Sequence, residues 1–101
     1  MSHEILTSSQ LQEKLRLFKE QHGAKYHLLT LGYFGSYARN EATENSDVDI
    51  VFETQTPNLF KAASMREALV NLLEHPVDVV RWREKMNPRL RARIQKEAVY
   101  V

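Results

Sequence analysis

The chain has 101 residues, 43% of them hydrophobic and 27% charged, with a formal net charge of +1. That length admits one compact domain and excludes two, and burial of only about 60–65% of the unfolded surface leaves room for a partner subunit to help complete the core. The absence of cysteine excludes disulfides and thiolate metal sites and agrees with a reducing, cytoplasmic setting.

The opening MSHEILTSSQ lacks the basic and apolar regions of a signal peptide, and no run approaches the roughly 18 apolar residues of a membrane span. Ser9, with Gln12 three residues on, reads as a capping box, and Leu11, Leu15 and Phe18 recur at helical spacing up to a stop at Gly23, which gives a helix over 9–22. Residues 26–34 are aromatic and aliphatic and read as a core strand. Gly35 ends it, and Ser36 opens a short turn or helix. The polar turn TENS leads into a second strand, DVDIVFE, at 47–53. Thr56 as cap and Pro57 as first helical residue then start a long helix with Leu59, Phe60, Ala63, Leu69, Leu72 and Leu73 on its apolar stripe. Pro76 closes that segment, residues 77–82 (VDVVRW) form a third strand, and Asn87-Pro88 start a last helix over roughly 88–97. This order predicts an α/β (α+β) fold: a small mixed sheet of three to four strands packed against helices, as one domain over residues 1–101.

The informative residues are acids inside strands. Side chains alternate faces along a strand, so Asp47 and Asp49 leave one face about 6.5–7 Å apart at the backbone, while Val48 and Ile50 point to the core. Asp78 sits in the same aliphatic context between Val77 and Val79, and a neighbouring strand about 4.8 Å away would bring it beside the pair. Three such carboxylates repel unless neutralised, and oxygen-seeking magnesium is the natural counter-charge. The alternative is an edge strand whose solvated acids guard it against aggregation. Gly35 stands where a strand meets a helix start and has no side chain to block a close approach, while Ser36 brings a hydroxyl and, like the residues after it, a free helix-start N–H, which makes a phosphate cradle. Arg39 lies three residues after Ser36, placed to contact phosphate or to pair with an acid. His3, His22, His27 and His75 share no ligand spacing and read as surface or loop residues. Trp82 and Tyr100 are candidate interface anchors. Tyr33, Phe34 and Tyr37 flank the loop, where one could support a base. Arg81, Arg83, Lys85, Arg89, Arg91, Arg93 and Lys96 make the C-terminal quarter basic, which suits a solvated face, a dock for an acidic partner or a phosphate-facing edge.

The run GYFGSYARNEATENSDVDIVFE, residues 32–53, resembles the signature of the nucleotidyltransferase superfamily that includes DNA polymerase beta and kanamycin nucleotidyltransferase. The likeness is greatest to the small minimal nucleotidyltransferases (MNT) and covers nearly the whole chain. It implies that Gly35, Ser36 and Arg39 bind the triphosphate, that Asp47 and Asp49 bind metal, and that Asp78 is the third acid, which orients and deprotonates the acceptor hydroxyl. It implies two magnesium ions and ATP as substrate. The family's common glycine after the arginine is Asn40 here, a residue that tolerates left-handed torsions. The resemblance further implies an all-helical HEPN-type toxin as partner, in a heterocomplex or homo-oligomer, with AMP moved onto a tyrosine of that partner. A non-catalytic docking antitoxin and a small-molecule transferase are the rival readings. Membrane and direct nucleic-acid binding are not expected.

Overall fold

A computed structural model describes residues 4–101; His3 lies outside the described residues. Helix α1 runs Ser8–His22, strand β1 Leu28–Phe34, strand β2 Val48–Thr54, helix α2 Leu59–Leu73, strand β3 Val77–Arg81, helix α3 Pro88–Glu97 and strand β4 Val99–Tyr100. The four strands form one mixed sheet in the order β3-β2-β1-β4. The β1–β2 and β1–β4 pairs are antiparallel, and β2–β3 is parallel. No helix among the described residues is long and apolar enough to cross a membrane.

Local chemistry explains the boundaries and corrects several expectations. Three hydroxyl residues precede α1, and the cap is Thr7: its side chain accepts from Gln10 N–H while the Gln10 side chain accepts from Thr7 N–H. The expected box at Ser9 and Gln12 is displaced because Thr7 and Gln10 have the same spacing one half-turn earlier. After Gly23 the chain makes a turn through His27, which takes the left-handed φ of 53°. Strand β1 therefore starts at Leu28, and Tyr26 is a buried turn residue stacked on Phe18. Helix α2 is capped by Asn58, which accepts from Phe60 and Lys61 N–H, so Thr56 and Pro57 lie ahead of the helix. Asn87 caps α3 in the same way ahead of Pro88, as expected.

Met65, Leu69 and Leu73 of α2 face the sheet, while Leu59 and Phe60, expected on the apolar stripe, are each 88% exposed. The core lies mainly between α1, α2 and one sheet face, around Leu11, Leu15, Leu31, Ile50, Met65 and Leu69. On the other face α3 packs Ile94 against Phe34 and Val51. Tyr33 and Tyr37 are buried in the first core and Phe34 in the second, which removes all three from a base-binding role. Trp82 is half-buried under the Arg91 guanidinium, and Tyr100 is half-exposed. His75 is buried, against expectation, with its ring nitrogens 2.6 Å from the Leu73 and Glu4 carbonyl oxygens.

Strand β4 went unread in the sequence. Its two residues pair with Gly32 and Tyr33 of β1, and Val101 N–H extends the ladder to the Leu31 carbonyl. A Cβ at Gly32 would stand 2.6 Å from the Val99 carbonyl oxygen and 2.9 Å from the Tyr100 ring. Gly32→Ala should therefore push β4 off the sheet. We expect a loss of about 1–3 kcal/mol in chemical denaturation and faster amide exchange at Val101.

Candidate active site

The parallel pairing of β2 and β3 aligns Val48 with Val77, Asp49 with Asp78 and Ile50 with Val79. Two carboxylates thus stand side by side on neighbouring strands, as the spacing argument expected. Asp47 lies one residue ahead of β2, exposed, and Asp49 is half-buried. Asp78 is exposed near the start of β3.

Burial is the largest influence on Asp49 and raises its pKa; the nearby Asp78 and Asp47 charges raise it further, against a smaller pull from Arg93 and Arg39. Asp49 is thus an acid held where its charge is unwelcome. Among the described residues no three His, Cys, Asp or Glu side chains already surround one point; bare carboxylates at close range repel one another. The donors present suit a hard divalent cation, since all three candidates are carboxylates, and a cation there would relieve the repulsion that raises Asp49.

The loop after β1 fits against this acid. Gly35 has φ 75°, and a Cβ built on it would run into Asp49 Oδ2. Both the torsion and the contact require glycine. Successive turns follow, closed by Arg39 N–H to the Gly35 carbonyl at 3.1 Å and Glu41 N–H to the Ser36 carbonyl at 2.9 Å. Asn40 adopts φ 58°, the left-handed turn expected where the family has glycine. Ser36 is half-buried beside Gly35.

Arg39 turns to a residue that sequence reading missed. Its Nη1 donates to both Glu97 carboxylate oxygens, at 2.9 and 3.0 Å, and its Nε donates to Glu41 at 3.3 Å. Glu97 also accepts from Gly35 N–H at 3.1 Å. Burial works against ionisation of Glu97, but these hydrogen bonds, with the Arg39 and Arg93 charges, outweigh it and hold its pKa below the ordinary value. The β1–β4 register explains the meeting: Gly32 faces Tyr100 and Tyr33 faces Val99, so two residues further along Gly35 comes opposite Glu97. The only sequence signal was the Arg93–Glu97 spacing at the end of α3, a pair that stands 3.9 Å apart. Arg93 also lies over the Phe34 ring and near Asp49, which puts a positive charge beside the acids.

A mixed sheet with acids on two adjacent parallel strands, beside a glycine loop that touches one of them, is the frame of an enzyme that transfers nucleotidyl groups. The model of the nucleotidyltransferase domain matches residues 11–101. A Methanocaldococcus jannaschii protein provisionally named as a protein adenylyltransferase, MJ0126, is 36% identical over 96 residues, covering 94% of this chain and 98% of that relative. A solved structure described as a minimal nucleotidyltransferase is 34% identical, with a TM-score of 0.69 over 87% of this chain and 93% of that one. The fold also matches a Shewanella oneidensis complex of a tri-AMPylated HEPN toxin with its MNT antitoxin, at TM-score 0.56, 18% identity and coverage of 84% of this chain and 70% of that one. The chain belongs to the nucleotidyltransferase domain family and is a nucleotidyltransferase.

The raised pKa of Asp49 gives a stability prediction. An acid whose folded pKa lies above its unfolded value carries no penalty below the unfolded value and the full penalty above the folded one. Asp49→Asn should therefore raise the thermal midpoint at pH 7 when divalent cations are chelated. The gain should shrink as pH falls from the raised folded value and vanish below the ordinary carboxylate value of 3.8, and a melting series across pH measures it.

Proposed function

We propose that the protein is a single-domain, cytoplasmic, metal-dependent adenylyltransferase that moves AMP from ATP onto a hydroxyl of a protein partner, a tyrosine of a HEPN-type toxin, and so acts as an antitoxin. The observation that carries the reading is the alignment of Asp49 with Asp78 beside the Gly35 loop. The provisional name of the Methanocaldococcus relative supports protein as the acceptor. The Shewanella complex supports a HEPN toxin as the partner.

In this reading Asp47 and Asp49 would hold two magnesium ions, and Asp78 would hold the one that activates the nucleophile; such cations would supply charge neutralisation at the phosphates and a more acidic attacking hydroxyl. Ser36 and the loop N–H groups hold the outer phosphates of ATP. Arg39 faces the same loop, oriented by Glu97. The acceptor oxygen forms a bond to the α-phosphorus while the bond to the bridging oxygen of the β-phosphate breaks. Pyrophosphate carries away the electron pair, and Asp78 takes the hydroxyl proton. Positioning and electrostatics supply the catalysis, with no covalent enzyme intermediate.

The test is to co-purify the chain with a HEPN-type partner, add ATP and magnesium, and weigh both proteins intact. We expect a gain of one or more AMP groups on the partner, with a peptide map locating them on tyrosine. Asp49→Asn should cut the rate by about 100-fold or more while the protein stays folded. Full transfer by that variant would remove Asp49 from the chemistry. An unmodified partner in a tight complex would make the protein a docking antitoxin.

A further inference from the structure

Leu59 and Phe60 have no place in the site just described. They open α2 with 88% of each side chain exposed. They are the first two residues after the Asn58 cap, ahead of Met65, Leu69 and Leu73, the residues that α2 buries. Two adjacent large apolar side chains this exposed on a small domain mark a surface that becomes covered.

Beside them lies a groove of about 580 Å³, between the start of α2, strand β3 and the 81–87 segment. Phe52, Met65, Val79 and Leu90 make its apolar floor, and Lys61, Arg81 and Arg83 stand among its walls. Its lining contains no Asp or Glu. Among the described residues none of these three cations has a carboxylate within ion-pair distance, unlike Arg39 and Arg93. Strand β3 is an edge of the sheet, and beyond Val77, whose carbonyl accepts from Arg66 Nε, its outer side pairs with no other strand on the same surface.

We propose that this groove is a docking site for an acidic, apolar-anchored segment of the protein partner. The proposal rests on the reading above that the acceptor is a protein. Charge and shape decide the occupant. Three uncompensated cations around an apolar floor select apolar side chains flanked by carboxylates. A nucleotide fits poorly, because Asn58 and Asn87 already accept from the free N–H groups at the starts of α2 and α3 that would otherwise hold phosphate. A second copy of the chain also fits poorly, because a two-fold contact through this face sets basic rim against basic rim. Strand β3 ties the groove to the chemistry. Asp78 lies three residues from Arg81, about 10 Å along the strand. A partner seated in the groove is therefore held beside the acidic site.

The experiment measures complex formation between the full chain and the HEPN-type partner by titration calorimetry at two salt concentrations. The variants are Phe60→Asp and the double variant Arg81→Glu/Arg83→Glu. We expect about tenfold or greater weakening in each, a smaller salt dependence in the double variant, and ATP binding equal to wild type in both. Undiminished partner binding by folded Phe60→Asp and by the double variant overturns the docking site and leaves the adenylyltransferase reading intact. Absence of wild-type binding removes the partner reading itself and this proposal with it. A wild-type dimer in light scattering that Phe60→Asp dissociates assigns the groove to a second copy. Oligonucleotide binding lost only in the double variant assigns the basic rim to nucleic acid. Either outcome overturns the proposal.

Discussion

The site is organised around the absence of one side chain. Gly35 is pressed against Asp49 so closely that no Cβ fits, and its φ of 75° suits no other residue well. From that contact the loop is led away from the acids, and its N–H is delivered to Glu97 on the other side. The glycine thus lies between two carboxylates, one from strand β2 and one from the end of helix α3, that serve different ends. Asp49 faces Asp78 and stays uncompensated, whereas Glu97 is satisfied by Arg39 and by Gly35 itself.

This division is also a division of energy. Glu97 ionises readily because its partners stabilise the charge, and it strengthens the junction of loop and sheet. Asp49 resists ionisation because burial and two like charges oppose it. The protein therefore tolerates strain at one carboxylate and secures the surrounding backbone with the other. That pattern is common where binding of a charged ligand has to be favourable.

Much of this was legible in the sequence. A simple strand spacing put Asp78 beside Asp49, which is the register found, while Asp47, expected on the same strand, lies one residue ahead of it. The left-handed turn at Asn40 followed from residue type. What was missed depends on register over long spans. Strand β4 has only two residues, too few for any periodicity to show. Without it nothing in the sequence brings Glu97 to Gly35, so Arg39 lacked its true neighbour. The α2 stripe failed for a local reason. Asn58 outcompeted Thr56 and Pro57 as the start, and Leu59 and Phe60 open the helix exposed, ahead of its first buried residue, Met65.

The Gly35–Glu97 hydrogen bond has a consequence for the order of assembly. It joins residues 62 positions apart. Closing so long a span costs chain entropy that only the already paired strands can repay. Helix α2 and the β2–β3 pairing join residues much nearer in sequence, so contact order favours the acids aligning earlier and the loop being fastened later, when β4 settles along β1. A half-folded chain would then display its carboxylates before the Gly35 loop is fastened beside them, and any activity that needs both would belong to the completed native state alone.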